Sequence, residues 1–376
     1  MKAIYVINSL EGGGAERVFS KLVTLIYHDS NTKYEVEVVL LNKTTEVYSI
    51  PKGLKVHRIG SFGGVFTQLI LFLLLMLRKK PDFVLSFLPR ANLFNTVSGY
   101  LFNHKSIISE RSNSHGRLVG KLKGLKKQLI FWMFQNSVLI IAVSQGVADC
   151  IINDFGVSKS KVAVLNNPYD IESIIYLSKK KKDVNVNADV PYIISMGRLV
   201  RTKGFYDLIA SFSKIDSAHH LVILGQGPDL EKLKRLAIEK NIENKVHFYG
   251  FQKNPYPFIA GAEIFVLPSY LEGFPNALVE AMALSKPVLS TNCKDGPSEI
   301  LSFLGIIKKS GFVQAKYGLL TNAGDVDGLT KGLKALINSP EKKIKYAKQS
   351  LIRAGDFSDD KFYEKYINII SEKILG

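Results

Sequence analysis

From its second residue the chain alternates short apolar runs with longer amphipathic stretches. The runs at 2–9, 34–41, 82–87, 106–109, 138–143 and 161–166 are rich in Ile, Val, Leu and Phe and read as buried strands, with a weaker one at 55–59. Between them the helical period appears at 17–27, 66–80, 91–103, 118–136 and 144–154, the last opened by Ser144 as an N-cap. Strands apolar on both faces and separated by helices predict a parallel, doubly wound α/β sheet. The stretch 65–77 has only Thr67 and Gln68 as polar residues. It is too short to span a bilayer and reads as a crossover helix buried against the sheet.

The alternation breaks at 179–189, Lys-Lys-Lys-Lys-Asp-Val-Asn-Val-Asn-Ala-Asp, which is polar and reads as an inter-domain linker. A second strand–helix series follows, with strands near 192–196, 220–224, 245–249, 263–267, 287–291 and 317–320 and a last helix over 359–375. The expected division is 1–185, 186–356 and a terminal helical piece, 357–376.

Two loops of the second series carry chemistry. After the strand at 192–196 come Arg198 and Lys203, five residues apart, with Arg201 between them. A guanidinium fork and a mobile ammonium at the C-terminal end of a strand suit a diphosphate. In Tyr270-Leu-Glu-Gly-Phe-Pro-Asn-Ala-Leu-Val-Glu280, two carboxylates, Glu272 and Glu280, stand eight positions apart across a loop-to-helix junction. Gly273 and Pro275 form the turn, and the amides opening the helix at Asn276 can receive anionic oxygens. In the first series Gly12-Gly13-Gly14-Ala15-Glu16 follows the first strand. It is not a Gly-x-Gly-x-x-Gly fingerprint, and the second strand ends without a ribose-binding acid, so a dehydrogenase is disfavoured. Asp325-Val-Asp327 formally matches a metal-binding Asp-x-Asp, but it precedes an apolar-periodic helix and reads as an N-cap.

Gly197-Arg-Leu…Lys-Gly204 together with Glu272-Gly-Phe-Pro-Asn…Glu-Ala281, and the segments 12–16 and 109–113, resemble the retaining nucleotide-sugar glycosyltransferases of family 4, of the bacterial cell-surface polysaccharide and lipid-linked glycan type. The similarity runs in order along nearly the whole chain. It implies the GT-B architecture: two Rossmann-like, doubly wound parallel-sheet domains facing a cleft, the first (1–185) binding acceptor and the second (186–356) the nucleotide sugar. The terminal helix, from about residue 357, would pack back on the first domain. By the same resemblance Arg198 and Lys203 neutralise the donor diphosphate and Glu272 touches the donor sugar. Glu280 holds the ribose. Gly273, Phe274, Pro275, Asn276 and Ala277 present backbone N–H groups to sugar hydroxyls and the distal phosphate. Phe251 contacts the base and Gly14 lies over the diphosphate, while Glu16 falls near the acceptor. Where related enzymes often carry a histidine, this chain has Ser109-Glu-Arg-Ser-Asn113, and Arg111 becomes a phosphate candidate. No cofactor or metal is implied.

Length and charge sharpen this picture. The 376 residues exceed one ordinary core. The two cysteines, Cys150 and Cys293, provide neither a disulfide scaffold nor a metal-ligand spacing and fit a reducing cytoplasm. The apolar start at 1–10 runs into the glycine loop and reads as a strand rather than a signal peptide. Net charge is +17. Residues 1–185 hold 25 Lys+Arg against 13 Asp+Glu, a net of +12, whereas 186–376 hold 25 against 20, a net of +5. The basic half points to a polyanion. Within it Arg117, Lys121, Lys123, Lys126 and Lys127 precede the bulky run 129–134, a pattern suited to an anionic membrane surface. The expected partners are a nucleotide-sugar donor, uridine diphosphate-linked by the resemblance, and a lipid-linked oligosaccharide acceptor. The expected place is the cytoplasm, peripherally on the inner face of the plasma membrane. A nucleotide-sugar 2-epimerase or a phosphorylase of the same fold lacks support in the residues. A nucleic-acid binder lacks aromatic–basic interleaving, so no nucleic acid is expected.

Overall fold

The computed structural model describes residues 1–60, 64–112, 123–181, 190–293 and 295–375. They form two units, one built from 1–168 with residue 360 onward, the other from 169–359.

In the first unit the strands are β1 (Lys2–Ile7), β2 (Glu35–Leu40), β3 (Lys55–Arg58), β4 (Phe83–Phe87), β5 (Lys105–Glu110), β6 (Leu139–Ala142) and β7 (Val162–Val164). They make one parallel sheet ordered β3-β2-β1-β4-β5-β6-β7. The helices are α1 (Gly14–His28), α2 (Gly64–Lys79), α3 (Pro89–Phe102), α4 (Lys123–Asn136) and α5 (Gln145–Phe155). Ser144 caps α5, accepting from the Val147 amide at 3.3 Å, as its position predicts. One face of the sheet packs Tyr5, Ile7 and Leu85 against α1, and the other packs Ile4, Val6 and Val84 against Phe72 and Met76 of α2 and Phe94 of α3. Buried α3 amides tie the layers: Asn95 donates to the carbonyls of Val84 and Ile107, each at 2.9 Å.

The second unit opens with α6 (Ile171–Ser178), followed by β8 (Tyr192–Met196), α7 (Phe205–Phe212), β9 (His220–Leu224), α8 (Leu230–Glu239), β10 (Val246–Phe248), α9 (Tyr256–Gly261), β11 (Ile264–Leu267), α10 (Asn276–Ala283), β12 (Val288–Asn292), α11 (Pro297–Ile300), β13 (Phe312–Gln314), β14 (Leu319–Asn322), α12 (Val326–Ile337) and α13 (Pro340–Gly355). Its sheet runs β10-β9-β8-β11-β12-β14-β13, parallel except for β13, which lies antiparallel to β14 at the edge. The chain closes with α14 (Asp359–Ile370), whose Phe362, Tyr366 and Ile370 lie in the core of the first unit. There the hydroxyls of Tyr5, Tyr34 and Tyr366 form a buried cluster.

Four features depart from the sequence reading. The change of unit falls at 168/169, not at 185/186, because α6 packs on α9 and α10 of the second unit. Most of the 179–189 segment lies outside the described residues. Helix α6 and strand β13 were not anticipated, the one short and next to the lysine run, the other a three-residue edge strand. Helix α2 is not a buried core helix: Gln68, Phe72 and Met76 face the sheet, while Phe66, Ile70, Leu71, Leu74 and Leu77 are exposed. A helix apolar all round gives no sign of which side meets the sheet.

His104, buried with Nε2 2.8 Å from Ser98 Oγ, is lowered to a pKa of about 4 by desolvation. The unfolded chain therefore binds a proton at this residue near pH 6.5 while the folded chain does not. Stability is unaffected above pH 6.5 and falls below it, by on the order of 3 kcal/mol at pH 4 from this residue alone. Urea melts across pH 4–7 should show a His104→Gln variant losing correspondingly less stability on acidification.

Candidate active site

In a doubly wound sheet, ligands collect outside the carboxyl ends of the strands where the strand order reverses. In the second unit that point lies between β8 and β11. The two loops singled out by sequence leave from these neighbouring strands, so residues separated by some seventy positions meet (Lys203 and Glu272 are 69 apart).

Lys203 Nζ donates to Glu272 Oε1 at 2.6 Å, and the Ser269 hydroxyl donates to the same oxygen at 2.7 Å. The approach of the loops rests on Gly204, which ends a short 3₁₀ turn over Arg201–Lys203 at φ +71°. A Cβ there would collide with the Pro268 carbonyl. The Tyr270 amide donates to the Thr202 carbonyl at 2.8 Å, and the Tyr270 hydroxyl donates to Asp207. Burial, with the bond to Asp207 next, pushes the Tyr270 hydroxyl up to about 12. Arg201 is not aimed at this pair; its guanidinium lies over the Tyr206 ring at 4.8 Å. Arg198 is exposed, and its guanidinium has no hydrogen-bond or ion-pair partner among the described residues.

The rim continues on both sides. Toward β9 and β10, Gly197 N donates to Leu224 O at 3.0 Å, Leu199 N to Gln226 O at 2.8 Å and Gly225 N to Gly250 O at 2.7 Å. Phe251 follows with its ring exposed, two strands from β8. Toward β12, Gly296 holds φ +87°, and a Cβ there would stand 2.8 Å from Pro275 Cδ. Buried Cys293 lies beside Glu272; burial first, then the carboxylates of Glu272 and Asp295, raise its thiol to about 12, so it remains a thiol.

Glu280 is buried on α10, one turn inside the helix whose start faces the 272–275 turn. The N-cap residue of that helix is Pro275, which makes no side-chain capping bond. Pro275 has no N–H, so it cannot donate to a sugar or phosphate as expected from the resemblance; it shapes the turn. Buried Phe274 packs edge-on to Phe357 at 5.2 Å, and Asn276 Oδ1 accepts from Tyr169 at 2.6 Å, so Gly273, Phe274, Asn276 and Ala277 sit on a braced turn.

In the first unit Gly14 and Glu16 open α1 at the end of β1, and the Glu16 carboxylate curls back over Gly13, where a Cβ would strike it. Arg111, past β5, donates to Asn167 and lies over the Phe87 ring at 5.5 Å. Arg117 and Lys121, and the side chain of Lys123, fall outside the described residues; Lys126 and Lys127 are exposed on α4. Asp325 caps α12 through the Gly328 amide at 2.8 Å, as its position predicts, and Asp327 pairs with Lys214 at 2.8 Å.

Comparison with known proteins decides the family. Residues 12–173 match Glycosyltransferase Family 4 and residues 178–351 match Glycosyl transferases group 1. The chain belongs to the family 4 glycosyltransferases. It is 29% identical over 371 residues to the N-acetylgalactosamine-N,N'-diacetylbacillosaminyl-diphospho-undecaprenol 4-alpha-N-acetylgalactosaminyltransferase of Campylobacter jejuni, covering 93% of this chain and 94% of that one. It is 25% identical to the lipopolysaccharide core biosynthesis glycosyltransferase LpsE of Rhizobium meliloti, over 79% and 77% of the two chains. Among solved structures, Anabaena HepE in complex with UDP matches with a TM-score of 0.79 at 17% identity, covering 99% of this chain and 100% of that one. The galactosyltransferase WaaB matches at 0.75 and 22%, with the same coverage. These structures establish a GT-B fold for this glycosyltransferase. The residues that sequence reasoning missed are Ser269, Gly204 and Gly296. The two glycines stood in the quoted motifs or beside a strand end, but their role depends on which loops become neighbours.

Proposed function

We propose that this glycosyltransferase moves a sugar from a uridine diphosphate-linked donor to a glycan carried on a lipid diphosphate, with retention and without a metal ion. The observation that carries the reading is the meeting of Lys203 with Glu272 at the strand-order reversal; exposed Arg198 stands in the same loop as Lys203, and the N-cap residue of α10, Pro275, makes no capping bond. As the sugar leaves, charge builds on the bridging phosphate oxygen, and fixed cations stabilise it there. Lys203 is already held by a carboxylate, and Arg198 is free to swing onto the phosphates. Glu280 would accept from the ribose hydroxyls. Glu272, bound by Lys203 and Ser269, is engaged as a positioning group rather than poised as a nucleophile. Transfer then occurs on one face: the anomeric carbon–phosphate oxygen bond breaks, the acceptor oxygen bonds from the same side, and its proton passes to the departing phosphate. On the first unit Glu16 would face the acceptor and Arg111 a phosphate.

The relatives support the substrates. HepE is solved with UDP and with UDP-glucose, and the Campylobacter enzyme's name specifies a diphospho-undecaprenol acceptor and an alpha product, which is what retention gives from an α-linked donor. With such a donor and a lipid-linked acceptor, the enzyme would work at the cytoplasmic membrane face. A thermal-shift screen of nucleotide sugars tests the donor, since bound ligand raises the melting temperature by mass action. The true donor should stabilise the protein in the presence of a chelator, and Glu280→Ala should lose that shift. No shift from any uridine diphosphate sugar, or release of free nucleoside diphosphate without a glycan product on lipid-linked acceptors, would refute the reading.

A further inference from the structure

The outward face of α2 has no role in the chemistry described above, yet it carries a row of exposed large apolar side chains. Phe66, Ile70, Leu71, Leu74 and Leu77 recur at helical spacing and point away from the sheet, with Phe66 73% and Leu74 57% exposed. Side chains of this size gain strongly from leaving water, and a contiguous group of them marks a binding surface. The patch does not end with α2. Helix α3 packs against both α2 and α4, and Tyr100 at its end meets Trp132 of α4 edge-on at 6.0 Å. Tyr100, Leu125, Leu129 and Phe131 are also exposed.

The charges around this face select its occupant. Helices α2, α3 and α4 contain no Asp or Glu at all. Arg78 and Lys80 are exposed at the end of α2, and Lys126 and Lys127 are exposed on α4. An apolar stripe on helices that carry cations and no acid, the nearest acids being Glu37, paired with Lys79, and Asp82 just past the end of α2, is complementary to hydrocarbon beneath anionic headgroups. A second copy of this chain would bring the same cations together. With 16 residues, α2 is about 24 Å long, short of the ~30 Å hydrocarbon core, and no described helix is long and apolar enough to cross a membrane. Its geometry is that of a helix lying in the interface.

We infer that the outward face of α2, extended by α3 and α4, is the surface by which the enzyme docks on an anionic phospholipid bilayer. The inference rests on the reading that the acceptor is lipid-linked, and it assigns the membrane contact chiefly to α2 rather than to the basic segment 117–127 alone.

The test is flotation of the full chain with phosphatidylcholine vesicles, with and without phosphatidylglycerol. The wild type should float with the anionic vesicles and much less with the neutral ones. Ile70→Glu/Leu74→Glu replaces two exposed side chains, so folding is spared, and should weaken partitioning by about tenfold or more per position. Lys126→Glu/Lys127→Glu should reduce the preference for anionic vesicles while leaving residual binding. Partitioning of the α2 variant equal to wild type overturns the inference. So does a wild-type dimer in light scattering that the α2 variant dissolves, which would give the face to a second copy. The nucleotide-sugar thermal shift separates the two readings. A variant that keeps the shift and loses the vesicles supports the docking face, while absence of any shift in a wild type that still docks indicts the donor assignment alone.

Discussion

Lys203→Ala should lower kcat by about 10²–10³-fold, the usual consequence of removing one preorganised group that stabilises charge developing in the transition state. Its partner makes the case specific. Glu272 is partly buried and, among the described residues, keeps only the Ser269 hydroxyl once the ammonium is gone. The carboxylate then faces the incoming diphosphate without a cation between them, so donor affinity should fall together with turnover. Lys203→Arg keeps the charge and should recover part of the rate, whereas Lys203→Gln should not. Steady-state transfer assays over a range of donor concentrations, with a circular dichroism spectrum to show an intact fold, check the prediction. An alanine variant within threefold (roughly) of wild type would remove Lys203 from the charge-stabilising role.

Gly204→Val should be strongly damaging although it lies outside the core of the second unit. The residue sits at φ +71°, where a β-branched side chain is strained, and its new Cβ would run into the Pro268 carbonyl. Loop and strand end must separate, at a cost of about 2–4 kcal/mol, and the Lys203–Glu272 pair separates with them. Urea melts should report the loss of stability, and transfer assays a loss of rate beyond what partial unfolding explains. Gly355→Ala is the control. It lies at the end of α13 with open space around its Cβ position and no positive φ, and alanine there should be neutral or stabilise by up to about 1 kcal/mol.

Much of the fold is readable along the chain because parallel strands buried on both faces announce themselves as unbroken apolar runs, as at Ile193–Ile194 and Ile264–Leu267. The same logic fails where burial is one-sided or the element is short. Three-residue β13 has no period to detect. Helix α2 is apolar on both sides, so composition alone assigned all of it to the core, although only the side bearing Phe72 and Met76 is there. The site shows a similar divide. Arg198, Lys203, Glu272 and Glu280 stand in recognisable local patterns, each within a single loop or turn. The meeting of Lys203 with Glu272 depends on β8 and β11 becoming neighbours, and no local pattern contains that adjacency. Pro275 is the opposite case: its missing N–H is a property of the residue type and needed no structure to exclude it as a donor.

Helix α14 gives the molecule an order of assembly. Tyr366 completes a buried hydroxyl cluster with Tyr5 and Tyr34, yet the ribosome makes it only after the whole second unit has been synthesised. During translation the first unit therefore emerges with the hollow for α14 open, its aromatic floor of Tyr5, Tyr34 and Phe83 wet, while the second unit can already close on itself. The half that is born first is finished last.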